Sequence, residues 1–267
     1  MGEAEKIHVP LMADLATHNK VPDYLLWVGC AGAYDERYQK VIQALIKVLN
    51  WAGTDFAVLG HEESCTGDPA RRAGNELLFQ MQALSNIQVL NGYGIQKIIT
   101  PCPHCYNTFK HEYPALGGNY EVIHHTEILE SIQQDMSGGL KQDHELKEKR
   151  ITYHDSCYLG RSNNIYDAPR HIIQDISAQL TEMGRNKANG LCCGAGGAQM
   201  FKDAEKGDKD IYVERTEEAL EARAEIIATA CPFCLTMLSD GVKSMDKEQN
   251  VEVLDVVELF AKAYDRD

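Results

Sequence analysis

Short apolar runs alternate with longer amphipathic stretches along the chain. In the first half, the runs that have the length of buried strands are residues 25–28, 56–59, 97–100 and 122–124. Between these runs, residues 38–49 carry apolar side chains at helical spacing, and residues 73–90 predict a further helix. The first half is therefore expected to alternate strands with helices.

The second half repeats this alternation. Its predicted strands are residues 151–154, 226–228 and 251–254, with a further one near Leu180. Strands that alternate with helices form parallel sheets covered by helices on both faces. The predicted fold class is therefore α/β, with two pseudo-symmetric domains, each a short parallel sheet flanked by helices.

The nine cysteines fall into two copies of one pattern. The first copy is Cys30, Cys65, Cys102 and Cys105, and the second is Cys157, Cys192, Cys193, Cys231 and Cys234. In both copies, 34 residues separate the first cysteine from the next. Thiolates gathered in fours and fives bind soft metals, so all nine are candidate ligands of iron–sulfur clusters.

The duplication extends beyond cysteine. Residues 98–105 align with residues 227–234, and residues 122–129 resemble residues 253–260. Copies of this length indicate a duplicated domain rather than a solenoid. The predicted organisation is an N-terminal arm (1–20), a first cysteine-rich domain (21–136), a charged linker (137–150) and a second cysteine-rich domain (151–267).

The length and the net charge of the chain argue against some classes of protein and partner. A chain of 267 residues can bury two cores of ordinary size. The net charge of −14 argues against nucleic acid as a partner. We identify neither a signal peptide nor an apolar run that could span a bilayer. We therefore expect a cytoplasmic protein, where disulfides do not persist and any membrane association needs a partner subunit.

The cysteines follow the predicted strands closely. In parallel sheets, ligands bind at the carboxyl ends of the strands, so distant cysteines should converge at one edge of each sheet. Pro103 and Pro232 suit the first turn of a helix, which places each CxxC motif at a helix N-terminus. The free amides and the helix dipole stabilise thiolates there.

Besides iron–sulfur binding, two other kinds of chemistry fit parts of these motifs. Cys102-Pro103-His104-Cys105 alone is typical of a thioredoxin-like redox motif, but its duplicate and the matched cysteines disfavour that interpretation. Four thiolates suit a tetrahedral zinc site, so zinc stays open for the first copy. The five cysteines of the second copy exceed what tetrahedral zinc needs.

The second copy resembles a known family. Cys157, Cys192-Cys193-Gly194 and Cys231-Pro232-Phe233-Cys234 match the CCG domain found in heterodisulfide reductase. The resemblance implies a non-cubane [4Fe-4S] cluster in the second domain. In the first copy, Ser64-Cys65-Thr66-Gly67 stands where Cys-Cys-Gly would be, with Ser64 opposite Cys192. An ordinary four-cysteine [4Fe-4S] cluster is expected there, with Ser64 as an alkoxide ligand or as a hydrogen-bond donor to a cluster sulfur.

A narrower resemblance covers most of the chain. Residues 62–76, 102–105, 154–161 and 191–197 are similar to the C-terminal part of membrane-bound iron–sulfur oxidoreductases that pass electrons from electron-transfer flavoprotein to menaquinone. It implies an electron-transfer oxidoreductase subunit that exchanges electrons between a flavoprotein or ferredoxin and a quinone-reducing or flavin partner. The implied partners are a ferredoxin-type or haem-containing membrane iron–sulfur subunit and electron-transfer flavoprotein.

Two other functions stay open. The first is thiol–disulfide reduction, as in heterodisulfide reductase, at a non-cubane cluster with Cys192 and Cys193 as catalytic residues. The second is a zinc scaffold without redox activity.

Several other residues are candidates for roles near the cysteines. Gly194, Gly196 and Gly197 are expected to let the backbone approach a bulky cluster. His154-Asp155 could relay a proton or make a structural hydrogen bond.

The basic residues Arg71, Arg72 and Arg161 could offset cluster charge, dock an acidic partner or simply be solvated. His124-His125 is expected to be structural.

Overall fold

A computed structural model describes residues 8–135, 139–140, 144–176, 179–203 and 207–264. Residues 1–7 of the predicted arm, and 137–138 and 141–143 of the predicted linker, lie outside the described residues. The boundaries of the four predicted segments stay predictions. Within the described ranges, we find no helix long and apolar enough to cross a membrane.

The first sheet has four parallel strands in the order β2-β1-β3-β4. They are β1 (Tyr24–Leu26), β2 (Phe56–Ala57), β3 (Lys97–Thr100) and β4 (Glu121–His124). All four predicted strands are confirmed, although β1 and β2 end sooner than the apolar runs do. Val58 is bridged in parallel to Leu11, so the N-terminal arm continues the sheet beyond β2.

The second sheet has three parallel strands in the order β5-β6-β7. They are β5 (Ile151–Tyr153), β6 (Ile226–Thr229) and β7 (Glu252–Asp255). The strand expected near Leu180 is reduced to a single parallel bridge with Ile151. The two-part parallel architecture predicted from the sequence is therefore confirmed.

Eleven α-helices are described between and around the strands. They are α1 (Met12–Thr17), α2 (Gly29–Tyr34), α3 (Glu36–Trp51), α4 (Asp68–Arg72), α5 (Glu76–Gly92), α6 (Pro103–Asn107), α7 (His125–Asp135), α8 (Asp167–Ile176), α9 (Ile211–Glu221), α10 (Pro232–Ser244) and α11 (Val256–Tyr264). The predicted helices at 38–49 and 73–90 correspond to α3 and α5. Asn75 caps α5, because its side chain accepts a hydrogen bond from the Leu78 amide.

The two halves are packed against each other. Helices α3 and α7 of the first half contact α11 and α8 of the second, and one cluster of buried apolar side chains runs through both. Polar contacts cross the same boundary: His125 Nε2 lies 2.8 Å from Asp255 Oδ1, with both side chains fully buried. Arg37 donates two hydrogen bonds to the Glu258 carboxylate. His125 thus has the structural role expected for the His124-His125 pair.

Candidate functional site

The first four cysteines lie together at the carboxyl end of the first sheet and form the four-cysteine site. Cys30 lies in α2 just after β1, and Cys65 lies in the loop between β2 and α4. Cys102 and Cys105 flank the start of α6 after β3. The thiols interact in two pairs, Cys30 with Cys65 and Cys102 with Cys105.

The other five cysteines form the five-cysteine site at the matching end of the second sheet. Cys157 follows β5, and Cys231 and Cys234 flank the start of α10 after β6. The thiol of Cys192 interacts with those of Cys157 and Cys193, and Cys193 Sγ lies 3.3 Å from Cys234 Sγ. The structure therefore brings all nine predicted ligands into two groups.

One cysteine in each site is predisposed to ionise. A hydrogen bond from Cys30 lowers the pKa of Cys65 to about 7. Hydrogen bonds from Cys157 and Cys193 lower the pKa of Cys192 in the same way. The thiolate is the form that binds a metal, so each site offers a ready first ligand.

Matching glycines shape the two central loops. Gly67 and Gly194 have positive φ angles of 88° and 91°, which only glycine adopts readily. The Gly67 amide donates to Cys65 Sγ at 3.4 Å, and the Gly194 amide donates to Cys192 Sγ at 3.3 Å. Cys65 is therefore the counterpart of Cys192.

This register corrects the alignment inferred from the sequence. The expectation that Ser64 stands opposite Cys192 is wrong by one residue, because the two glycines fix Cys65 at that place. Thr66 stands opposite Cys193. The equal spacing of 34 residues after Cys30 and Cys157 carried this signal.

Ser64 lies beside the four-cysteine site with its hydroxyl turned elsewhere. The side chain donates to Asn86 Oδ1 at 2.8 Å, and Asn86 in turn donates to the Cys65 carbonyl at 3.0 Å. The roles expected for Ser64, as a ligand or as a donor to sulfur, stay predictions.

The glycines of the second loop differ in their surroundings. A Cβ atom on Gly194 would lie 3.4 Å from the Ile211 side chain, whereas Gly196 and Gly197 face open space. The Gly194 amide approaches the sulfur of Cys192 at 3.3 Å, and close approach to a cluster stays a prediction for Gly196 and Gly197.

Glu63 was not expected at the site. Its carboxylate accepts hydrogen bonds from the amides of Val28 and Gly29 at 3.0 and 2.5 Å, which fixes the turn before Cys30. Burial raises the pKa of Glu63 to about 7. A contact between residues more than 30 positions apart has no spacing rule that could reveal it from sequence.

His154 is buried against the five-cysteine site. One ring nitrogen and the sulfurs of Cys193 and Cys234 lie within 4.8 Å of one another. Arg215 Nε donates to His154 Nδ1 at 3.0 Å, and burial followed by this cation lowers the pKa of His154 to about 3. His154 is therefore neutral and carries its proton on Nε2. Sequence reasoning missed Arg215.

Asp155 has a structural role. Arg170 donates to both carboxylate oxygens of Asp155 at 2.8 Å, and the Lys187 amide donates to one of them at 2.7 Å. These contacts leave the expected proton relay through Asp155 without support.

The basic residues that were predicted to lie near the cysteines all bind other residues of the same chain. Arg71 and Arg72 both pair with Glu112, and Arg72 also pairs with Asp68 at 2.9 Å. Arg161 donates to the Gly190 carbonyl at 3.0 Å.

Aromatic rings connect the two sites. His104, inside the first CxxC motif, stacks on Tyr158 with ring centres 4.1 Å apart. The same ring contacts Phe233, inside the second CxxC motif, at 4.8 Å. Asp68 Oδ2 lies 2.9 Å from His104 Nδ1 and fixes the ring. The two sites are therefore neighbours across a packed contact.

The donor set fits sulfur-ligated iron. All nine thiols are free, and five are buried while Cys30, Cys65, Cys157 and Cys192 are half-buried. Soft thiolates favour soft metals, and five converging sulfurs exceed a tetrahedral zinc site. Amide donors to sulfur, as at Gly67 and Gly194, are the contacts that tune such centres.

Comparison with known proteins agrees with the geometry. The model of the CCG cysteine-rich domain matches twice, over residues 24–110 and 151–239. A probable iron–sulfur-binding oxidoreductase, FadF, from Bacillus subtilis is 46% identical over 98% of this chain and 37% of its own length.

Two further relatives carry related names. An EtfAB:quinone oxidoreductase from Syntrophomonas wolfei is 47% identical over 90% of this chain and 34% of its own length. A component of the dihydromethanophenazine:CoB–CoM heterodisulfide reductase from Methanosarcina barkeri is 34% identical over 90% of this chain and 59% of its own length. The chain thus spans roughly a third of the first two relatives and under two thirds of the last.

Proposed function

Because this chain belongs to the CCG cysteine-rich domain family, we propose that it binds iron–sulfur clusters and transfers electrons as part of an oxidoreductase. The observation that carries the proposal is the gathering of all nine thiols at the carboxyl ends of two parallel sheets, four at one and five at the other. The iron–sulfur names of relatives support the same conclusion.

Each site would hold one cluster. Cys30, Cys65, Cys102 and Cys105 suit an ordinary four-cysteine [4Fe-4S] cluster, and the five cysteines of the second site suit a non-cubane [4Fe-4S] cluster. Clusters bound there would accept and release single electrons.

The chain's own residues set the conditions for that chemistry. The amides of Gly67 and Gly194 donate to ligand sulfurs, and such hydrogen bonds help to set reduction potentials. His104 and Phe233 contact each other between the two sites, with ring centres 4.8 Å apart. This close packing supports electron exchange between the two sites.

The partners belong to the proposal and rest on the sequence resemblance, with support from EtfAB and quinone in the name of one relative. We infer that electrons pass between a flavoprotein or ferredoxin and a membrane quinone-reducing or flavin partner. Electron-transfer flavoprotein and a ferredoxin-type or haem-containing membrane subunit are the candidates. The protein would then work in the cytoplasm, reaching the membrane through its partner.

A second function has support at the five-cysteine site. Cys157 and Cys192 are half-buried, so a substrate sulfur could reach this edge, and one relative is a component of a heterodisulfide reductase. Reduction of a disulfide with Cys192 and Cys193 as catalytic residues predicts that added disulfides change the electron paramagnetic resonance (EPR) spectrum of this centre. If a panel of disulfides leaves the spectrum unchanged, the second function is excluded.

The main proposal is tested by anaerobic purification with iron, sulfide and zinc assays. We expect about eight iron and a similar amount of sulfide per chain. In EPR spectra, Cys193→Ala should alter only the signal of the five-cysteine site. Zinc without sulfide would overturn the proposal and favour the scaffold.

A further inference from the structure

We propose that Thr66 occupies the place of a fifth cysteine in the first site, and that the side chain at this place decides what kind of cluster each site takes. The inference rests on the proposed function and extends it to a single position in each half. The two positions are Thr66 and Cys193, which lie 127 residues apart.

The loops around these two residues have the same geometry. Each residue directly follows a cysteine, Cys65 or Cys192, and directly precedes a glycine with φ near 90°. In each loop, the glycine amide donates to the sulfur of that cysteine, at 3.4 Å in the first and 3.3 Å in the second. Thr66 and Cys193 therefore occupy equivalent positions in the two loops.

Their side chains also have equivalent neighbours. Thr66 Oγ1 lies 3.7 Å from the sulfur of Cys105, and Cys193 Sγ lies 3.3 Å from the sulfur of Cys234. Cys105 and Cys234 are each the last cysteine of a CxxC motif. Both side chains are buried, with Thr66 at 1% and Cys193 at 3% exposure.

Ser64 fails each of these comparisons. It is exposed, it precedes Cys65 instead of following it, and its hydroxyl donates to Asn86. The Ser64 hydroxyl, which the sequence pattern favoured, is therefore directed at Asn86 and not at the sulfurs of the four-cysteine site.

The chemical difference between the two positions follows from the donor atom. Cysteine ionises and adds a negatively charged ligand, whereas the threonine hydroxyl stays neutral and donates a hydrogen bond to a sulfur. A hydrogen bond to a cluster sulfur favours the more reduced state, which raises the reduction potential. Thr66 would thus make the first site a four-thiolate centre of higher potential.

Reciprocal substitution tests the inference. We expect Thr66→Cys to give the first site an EPR spectrum like that of the five-cysteine site. Cys193→Thr should make the second site resemble the first. Thr66→Val should lower the midpoint potential of the first site and keep its four-cysteine spectrum, since valine has the shape of threonine without the hydroxyl.

Ser64→Cys is the matched control, because it adds a thiol two residues away from Thr66. Alkylation of the intact anaerobic protein, followed by mass spectrometry, reports on the added thiol without relying on activity. The thiol of Thr66→Cys should be protected, and that of Ser64→Cys should be modified.

The opposite alkylation pattern, or a change of the first-site spectrum in Ser64→Cys alone, would overturn the inference. A Thr66→Cys spectrum identical to wild type would also overturn it. Failure of the proposed function would be distinguished from failure of this inference, because the wild-type protein would then lack iron and sulfide.

Discussion

At the scale of single residues, the buried ion pair between Arg170 and Asp155 is the contact that we expect to be most sensitive to substitution. Arg170 and Asp155 are both nearly buried and share two hydrogen bonds, and Arg170 also reaches Glu182. A buried charge that loses its partner is costly, whereas loss of both charges is often tolerated.

We expect Asp155→Asn to lower the free energy of unfolding by about 3–5 kcal/mol, because it leaves the Arg170 charge buried without its main partner. Anaerobic urea unfolding followed by circular dichroism measures the loss. The double variant Asp155→Asn/Arg170→Met should regain part of it.

Asp167→Asn is the control, because Asp167 forms an exposed pair with Lys187. A change of about 0–1 kcal/mol is expected there. Equal losses in Asp155→Asn and Asp167→Asn would show that burial of the pair does not matter.

At the scale of elements, the packing of α9 on α10 holds the five-cysteine site in place. Helix α10 begins at Pro232 with Cys231 as its N-cap, so a shift of this helix moves Cys234 as well. The contact with α9 depends on Gly241, where a Cβ atom would lie 2.0 Å from Thr216 Oγ1.

Gly241→Ala should therefore destabilise the protein by about 1–3 kcal/mol through overpacking, and should lower the iron content of the second site. Thermal unfolding and EPR quantification measure the two effects. Gly92→Ala, at the end of α5 with nothing near the added methyl group, should leave both unchanged or slightly raise stability. Equal behaviour of the two variants would contradict the prediction.

The elements and the meeting of the cysteines could be predicted because both depend on local pattern. Apolar runs mark strands, and cysteines that follow parallel strands must meet at one edge. The alignment of Ser64 with Cys192 failed because it disregarded the equal 34-residue spacing, and the matching backbone of Gly67 and Gly194 gives the correct register. Contacts between distant residues, such as Arg215 with His154, leave no periodic trace in the sequence.

At the scale of the whole molecule, the shared core couples the two halves. Phe260 of α11 lies in the buried cluster that also contains Leu49 of α3. Both tryptophans, Trp27 and Trp51, belong to the first half, and Trp51 packs against the shared cluster, so their fluorescence reports on that half and its contact with the second.

We expect urea unfolding followed by tryptophan fluorescence and by circular dichroism to give coincident transitions. Phe260→Ala, in the second half, should lower stability by about 3–5 kcal/mol and shift the fluorescence transition as much as the dichroism. If fluorescence of the variant stays at its wild-type midpoint, the halves unfold independently.

The parallel bridges at Leu11 and Leu180 have a consequence for handling the protein before it acquires metal. Leu11 pairs just beyond β2 and Leu180 pairs beside β5, so one of the two edges of each sheet is partly covered by a short segment of its own chain. An uncovered strand edge is a template for pairing with another chain. These two edges should therefore resist pairing with another chain in the metal-free protein, and removal of residues 1–11, which keeps the buried Met12, should make fibrillar aggregates appear during anaerobic reconstitution.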